Sequence, residues 1–338
     1  MKTVFAKAPL RLAMAGGGTD LFPYWSKHGG MVLNGTIDQY AYCKIEPSDK
    51  WRFNSVDLGK EEVFDKLEPG YVDSKMKLLI NSYQYLTAGK KIEPVKITTY
   101  VEAPPGSGLG SSSALVVALT SAISEYYNIP LGEYDVADTS FHIERNICNL
   151  PGGKQDQFAS AFGGFNYIEF LKDGRTIVNP LRLNSRIQNM LELSTVLYYV
   201  GKPRGDERVI ETTSDNLTSN NTETLDATHQ IKNACIEYKR SLLLGDFERI
   251  SDLMNTYWNF KLKTSDKVGS PELIDTYEYA IANGAKAAKI SGAGGGGHMI
   301  LFTDFEERHN LITALKRRKV GRVVPFKFVK HGVDVWRQ

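Results

Sequence analysis

The sequence lacks most features that mark a specialised environment. Its three cysteines, Cys43, Cys148 and Cys235, are widely separated and odd in number. That argues against a disulfide framework and fits a reducing, cytoplasmic setting. No Cys/His cluster has the spacing of a metal site. Charge is nearly balanced, with 41 Lys and Arg against 39 Asp and Glu, so nothing in it argues for nucleic acid or a membrane surface as partner. No apolar run approaches the roughly 18 residues that span a bilayer. The first twenty residues lack the apolar core and cleavage pattern of a signal peptide. Repeats and low-complexity tracts are missing. So are three nucleotide signatures. A P-loop would need Lys after its last glycine, where Ser111 stands; a dinucleotide fingerprint would need Gly at 111; the HRD and DFG tripeptides of protein kinases do not occur.

What the sequence does have is glycine in clusters. The most telling run is PPGSGLGSSSA, residues 104–114, with Gly106, Gly108 and Gly110 on alternate positions before Ser111, Ser112 and Ser113. A helical pattern, ALVVALTSAISEYY, follows. A glycine turn that opens a helix makes an anion cradle, because backbone can approach a phosphate and first-turn N–H groups point at it. The serines are expected to cap the helix and to offer hydroxyls to a phosphate or its metal. The plainer alternative is an ordinary Gly/Ser turn. Two more clusters, residues 16–18 and 292–297, weigh against that alternative.

Periodicity predicts strands over residues 4–6, 10–15, 40–46, 95–101, 165–170 and 195–200. It predicts helices over 76–86, 111–127, 135–148, 222–244, 247–259 and 271–283. The end reads as strand, glycine loop, strand, helix, strand: AKIS, GAGGGG, HMILF, EERHNLITALKRR, VPFKFVK. The order is α+β rather than strictly alternating. The 338 residues suffice for two domains, with the division expected as 1–190 and 191–338.

Five positions carry candidate chemistry. Asp156, in GGKQDQ, stands at the start of a short helix, where a carboxylate either complements the dipole or does chemistry. Glu144 shares an expected helical stripe with Ala137, Phe141 and Cys148. A buried carboxylate needs a cation: either an internal salt bridge, for instance with Lys154, or magnesium, which takes carboxylate and hydroxyl oxygens. Arg11 lies in the apolar segment LRLAMA, and its guanidinium needs an anion there, for which Asp156 would serve. Thr19 and Asp20 close the first glycine turn. They suit sugar hydroxyls, or simply a turn with a helix cap. The four consecutive glycines near 295 imply close backbone packing, in its plain form against another loop. Trp51 and Phe53 either flank a base or pack in the core.

Three such loops in this order resemble the GHMP superfamily of small-molecule kinases. The first motif is Ala8-Pro9-Leu10-Arg11 leading to residues 16–20, the second residues 105–113, the third residues 292–297. Within the superfamily, PLRLAMAGGGTDL (9–21) and GGKQDQFASAFGGFNYIEF (152–170) are most similar to bacterial D-glycero-α-D-manno-heptose 7-phosphate kinases. Galactokinases tend to carry Gly-Glu-His-x-Asp in the first turn, and mevalonate kinases Lys at the place of Arg11; neither occurs here. Fucose-type and glucuronate-type kinases share parts of the GGGTD pattern.

The resemblance implies a fold of two domains, one like ribosomal protein S5 domain 2 and one ferredoxin-like, with the site in the cleft between them. It implies ATP on Pro105, Gly106, Ser107, Gly108, Leu109, Gly110, Ser111, Ser112 and Ser113, and Mg²⁺ on Ser112 and Glu144. Asp156 is then the catalytic aspartate, with Arg11 beside it. Gly17, Gly18, Thr19, Asp20, Gly153, Lys154, Gly294 and Gly295 fall on the sugar-binding motifs. Arg204 is the first candidate for a distal phosphate, with Lys202 and Arg208 equally readable as a solvated loop. The implied partner is a small sugar phosphate, and the implied pathway is nucleotide-activated heptose synthesis; a homodimer is left open. Three rivals also stay open: a sugar and ATP sensor of the same fold without turnover, a decarboxylase of the mevalonate branch, and a dinucleotide oxidoreductase.

Overall fold

The apolar segment that Pro9 divides on paper forms one strand, β1 (Val4–Ala15). In this computed structural model, which describes residues 3–201, 206–318 and 320–338, the register of β1 shifts between Pro9 and Leu10. An irregularity of that kind accommodates a residue with no N–H to donate. β1 pairs with β2 (Gly30–Pro47), which extends well beyond the aromatic core of the expected strand. The first sheet also takes in β3 (Trp51–Ser55), β4 (Lys60–Phe64), β5 (Val95–Val101), β6 (Phe165–Phe170) and β7 (Thr176–Pro180). A second sheet orders β11-β8-β10-β9, where β8 is Thr195–Gly201, β9 Ala285–Ile290, β10 Gly297–Thr303 and β11 Arg322–Val324. The final strand, β12 (Asp334–Arg337), returns to the first sheet and pairs antiparallel with β1, with Trp336 stacked on Phe5.

Helices build the layers around these sheets. After α1 (Phe22–His28) come α2 (Lys77–Thr87) and α3 (Ser111–Tyr126); α3 lies against β1 and β2, and α2 packs on it. α3 is buried nearly all round, as a helix between a sheet and other helices must be. α4 (Glu133–Phe141) and α5 (Gln155–Phe162) pack beside it. The second sheet carries α6 (Ser185–Ser194), α9 (Phe247–Lys261), α10 (Pro271–Ala282) and α11 (Arg308–Arg317), while α8 (Thr222–Leu244) packs on α9 and α7 (Asp206–Thr218) on α8 and α1. α8 and α9 also touch the first sheet, so the two halves share one continuous core around β1. No helix among the described residues is long and apolar enough to cross a membrane.

Two expectations are corrected. The single helix expected at 135–148 ends at Phe141 and continues as a π-helical turn, His142–Ile147, in which Cys148 donates to the Ile143 carbonyl five residues back. The segment VPFKFVK, whose alternation reads as a strand, is mostly irregular. It touches the first sheet through one bridge, Ile37 to Phe328. Alternation gives such a segment its two faces, but it meets β2 only beside the register shift of that strand, where Asp38 N donates to Lys327 O and Val329 N to Thr36 O, and the pairing goes no further.

Candidate active site

β5 delivers the chain into the loop at 102–110, where Gly106, Gly108 and Gly110 all have φ between +72° and +74°. Gly110 occupies the cap position of α3 in the left-handed region, and no side chain caps the helix. The serines therefore do not cap. Ser111 and Ser112 face a cavity, Ser112 exposed, while Ser113 turns inward. With no side chain answering them, the first-turn N–H groups of α3 are available to an anion in the cavity.

The third glycine cluster serves the second. A Cβ on Gly108 would stand 2.2 Å from the Ser291 carbonyl oxygen, and one on Gly297 2.3 Å from that of Ser107. The two loops pack backbone on backbone, which is the plain form of the expectation for residues 292–297. Ser291 Oγ donates to Gly108 O at 2.8 Å, and His298 N donates to Ser107 O at 3.0 Å. His298 Nδ1 is 2.8 Å from the same oxygen. Burial lowers its imidazole pKa to about 4. The ring is thus neutral, and Nδ1 carries the proton, because a carbonyl can only accept. Neither Ser291 nor His298 was legible as a site residue; their one signal is that they flank GAGGGG.

Arg11 projects from β1 to Asp156 in the first turn of α5. Nε donates to Oδ1 at 2.7 Å and Nη2 lies 2.6 Å from the same oxygen. Nη1 donates to Gly108 O at 2.6 Å, so one buried guanidinium ties the carboxylate to the glycine loop before α3. Asp156 lies at the start of α3 as well, its Cγ 3.2 Å from where a Cβ on Gly110 would be. Glu144 is fully buried. Oε2 accepts from Ser113 Oγ at 2.7 Å and from Gln157 Nε2 at 2.6 Å, and Oε1 faces Arg145 Nη1 at 3.1 Å. Its cation is thus Arg145, not Lys154. The π turn places both side chains on α3, and nothing in the residue pattern announces that turn.

The cavity holds about 390 Å³, walled by the first sheet, the glycine loops and residues of α2, α7 and α9. Pro105, Gly106, Ser107, Gly108, Gly110, Ser111, Ser112, Arg11, Asp156, Gly18, Asp20 and Gly153 all line it. Asp20 accepts from Gly18 N, Gln155 N and Gln155 Nε2. Burial, with the charge of Asp156 adding to it, raises its carboxyl above the usual range. Gly153 must be glycine, since a Cβ there would meet Asp20 Oδ2 at 1.9 Å. Other expected contacts point elsewhere. Thr19 is fully buried, its hydroxyl shared between Gly16 O, Met31 O and Met31 N. Lys154 donates to Gly174 O between the rings of Trp25 and Phe141. Leu109 is buried, and its carbonyl accepts from Arg11 N. Gly17 lies under Tyr257, whose hydroxyl donates to its carbonyl at 3.3 Å. Gly294 packs on Val268, and Gly295 belongs to the same loop. Arg204 and Lys202 lie outside the described residues, and Arg208 is exposed. Phe53 is buried in the core and Trp51 half-buried; neither lines the cavity. Ser55, Leu58, Lys75, Met76, Leu79 and Ala103 form its wall on the α2 side. α7, unforeseen because its sequence is largely polar, supplies Glu207, Val209, Ile210 and Thr213.

Lys289 lies beneath the site, fully buried, its ammonium donating to Ala13 O. Desolvation, then the charges of Arg11 and Lys261, bring its pKa down from 10.5 to about 7. Between those values the unfolded chain holds the proton that the folded chain has released, so stability rises with pH there and falls as pH drops toward 7. Relative to Lys289→Met, the wild-type unfolding free energy should rise by about 2 kcal/mol between about pH 7.5 and 9.5. Urea denaturation at several pH values measures this; parallel profiles would mean the buried amine keeps its proton.

Known proteins give the geometry its context. Residues 75–164 match the GHMP kinases N terminal domain, and residues 238–321 match the GHMP kinases C terminal domain. A D-glycero-alpha-D-manno-heptose 7-phosphate kinase of Campylobacter jejuni is 39% identical over 341 residues, covering 100% of both chains. The crystal structure of a D-glycero-D-manno-heptose 1-phosphate kinase from Bacteroides thetaiotaomicron superposes with a TM-score of 0.82 at 35% identity, covering 98% of each chain. Lactococcus lactis galactokinase, solved with galactose, shares the fold at a TM-score of 0.78 and 19% identity, over 98% of this chain and 95% of that one.

Proposed function

The chain belongs to the GHMP kinases and is an ATP-dependent sugar kinase; from that premise we propose that it phosphorylates the anomeric hydroxyl of D-glycero-α-D-manno-heptose 7-phosphate, giving the 1,7-bisphosphate. The observation that carries the reading is the Arg11–Asp156 ion pair standing where the phosphate loop, the start of α3 and the first glycine turn meet one cavity. The triphosphate lies along the loop from Gly106 to Ser112, its charge met by first-turn N–H groups and the helix dipole. The apolar wall from Leu58, Met76 and Leu79 takes the base.

Arg11 holds Oδ1 of Asp156, so Oδ2 meets the sugar hydroxyl. As the oxygen–phosphorus bond forms, the hydroxyl proton passes to Oδ2, and the bond from the γ-phosphorus to the ADP oxygen breaks in line. Most of the rate gain in such a transfer comes from positioning and charge neutralisation. Ser112 and Glu144 would hold Mg²⁺, whose chemistry is to neutralise phosphate oxygens. The donor types fit, an exposed hydroxyl and a carboxylate whose Oε1 accepts no hydrogen bond, although Glu144 is fully buried and is not among the residues that line the cavity. Arg145 already stands at that oxygen, so it must share the carboxylate with the ion.

The test is ADP release from Mg-ATP against heptose 7-phosphate, mannose 6-phosphate, mannose, fucose, galactose and mevalonate, with the product read by phosphorus NMR. A 1,7-bisphosphate from heptose 7-phosphate is the expected product. Turnover of heptose 1-phosphate, the sugar phosphate after which the Bacteroides kinase is named, with the new phosphate at the distal end would overturn the site of transfer. ATP binding without turnover on any sugar would favour a sensor.

A further inference from the structure

We propose that His298 is a positioning residue for phosphoryl transfer, holding the peptide between Ser107 and Gly108 so that its N–H faces the nucleotide; the inference rests on the reading above that the triphosphate lies along this loop. Two successive carbonyls of the loop each meet two donors, all four from outside it. Ser107 O accepts from His298 N at 3.0 Å and from His298 Nδ1 at 2.8 Å. Gly108 O accepts from Arg11 Nη1 at 2.6 Å and from Ser291 Oγ at 2.8 Å. A carbonyl oxygen has two lone pairs, so both oxygens are filled. The next carbonyl, Leu109 O, accepts from Arg11 N at 3.0 Å. His298 and Ser291 are buried and do not line the cavity, whereas Gly108 and Gly110 do. In a trans peptide the N–H points opposite to the C=O. Carbonyls drawn to the buried side therefore turn the N–H groups of Gly108, Leu109 and Gly110 toward the cavity side.

The backbone gives the same direction independently. Gly106, Gly108 and Gly110 have φ between +72° and +74°, while Ser107 and Leu109 between them do not take positive φ. That alternation is the geometry of a nest, whose successive N–H groups converge on an anion. Main-chain pairing of β10 with the loop would need only His298 N. The imidazole adds a second donor to the same oxygen, and that donor does two things. It fixes the peptide plane, because an oxygen held from two directions cannot turn about either bond. It also polarises the peptide, which strengthens the N–H on its far side as a donor. The ring is itself steadied by Tyr199, with centroids 5.0 Å apart. A histidine kept only to fill the space behind the loop would need the ring's volume but not its Nδ1 proton.

The test separates the donor from the volume. His298→Phe keeps a ring beside Tyr199 and has no donor. His298→Asn places an amide N–H near the position of Nδ1 but leaves the rest of the ring's space empty. Calorimetric affinity for a non-hydrolysable ATP analogue should fall about tenfold in His298→Phe and stay within about threefold of wild type in His298→Asn. Melting temperatures should rank the other way, with His298→Asn the less stable. Affinity for the sugar phosphate should not change in either. Nucleotide affinity that follows melting temperature, or a His298→Phe that binds the analogue like wild type, would overturn the assignment and make the ring a packing element. Two NMR measurements on the wild type need no variant to fold. The ring nitrogen shifts should show the Nδ1–H tautomer at neutral pH; an Nε2–H tautomer refutes the proposal. The Gly108 amide resonance should move when the analogue binds. If the analogue binds and that resonance stays, the reading of the loop fails and the role of His298 with it. If it moves but His298→Phe keeps full affinity, the loop reading stands and His298 alone is removed.

Discussion

Asp156→Asn is expected to lower turnover by about 10² or more while leaving ATP affinity within about twofold. The substitution is close to isosteric. Asn still accepts from Arg11 Nε through its amide oxygen, so the tie between β1 and α5 survives. Only the charge and the capacity to take a proton are lost. The nucleotide rests on backbone N–H groups that this residue does not supply, so its binding should hold. Single-turnover phosphoryl transfer, with nucleotide affinity measured separately, divides the two effects. Near-normal turnover would remove Asp156 from the chemistry. A loss confined to nucleotide affinity would make it a structural counterion of Arg11.

Gly108→Ala should be nearly as damaging by a different route. Its φ of +74° costs an L side chain about 1–2 kcal/mol, and the new methyl would stand 2.2 Å from the Ser291 carbonyl. The loop must separate from its partner or shift, and either movement pulls Gly108 O away from Arg11 Nη1 and Ser291 Oγ. We expect a loss of about 2–4 kcal/mol in stability and at least about tenfold in ATP affinity. Gly89→Ala is the control, with φ +73° and nothing within 4 Å of the added methyl. It should show the backbone cost alone and bind ATP normally. Thermal melts and nucleotide titrations of both variants would decide; matching behaviour would mean that the packing of the two loops does not matter.

These variants also mark what was legible in the sequence. An arginine in an apolar strand needs a carboxylate, so Arg11 and Asp156 find each other on paper although 145 positions separate them. Glycine punctuation marked the loop that opens α3, and periodicity gave α8 its bounds at Thr222–Leu244. Features that depend on long-range packing stayed hidden. The π turn that puts Glu144 beside Ser113 and Arg145 has no residue signature, because an α-helix of the same sequence keeps the same stripe for most of its length. Serine after glycine suggests a cap, yet Gly110 already fills that place, which frees Ser112 and turns Ser113 inward. Lys261 sits at the polar end of a helix, where sequence alone reads solvent. Thr19 shows the opposite error, a polar residue in a promising motif whose hydroxyl is wholly spent on the backbone.

The return of β12 to β1 sets the order in which the molecule can mature. β1, ending at Ala15, leaves the ribosome well ahead of its partner on one side, β12, which begins at Asp334. At roughly 5–20 residues per second, that edge waits for tens of seconds with its hydrogen-bonding groups open to neighbouring chains. The nascent chain is therefore most vulnerable to aggregation just before β12 emerges, when the other strands of both sheets are already made. Arrival of Trp336 over Phe5 ends that exposure.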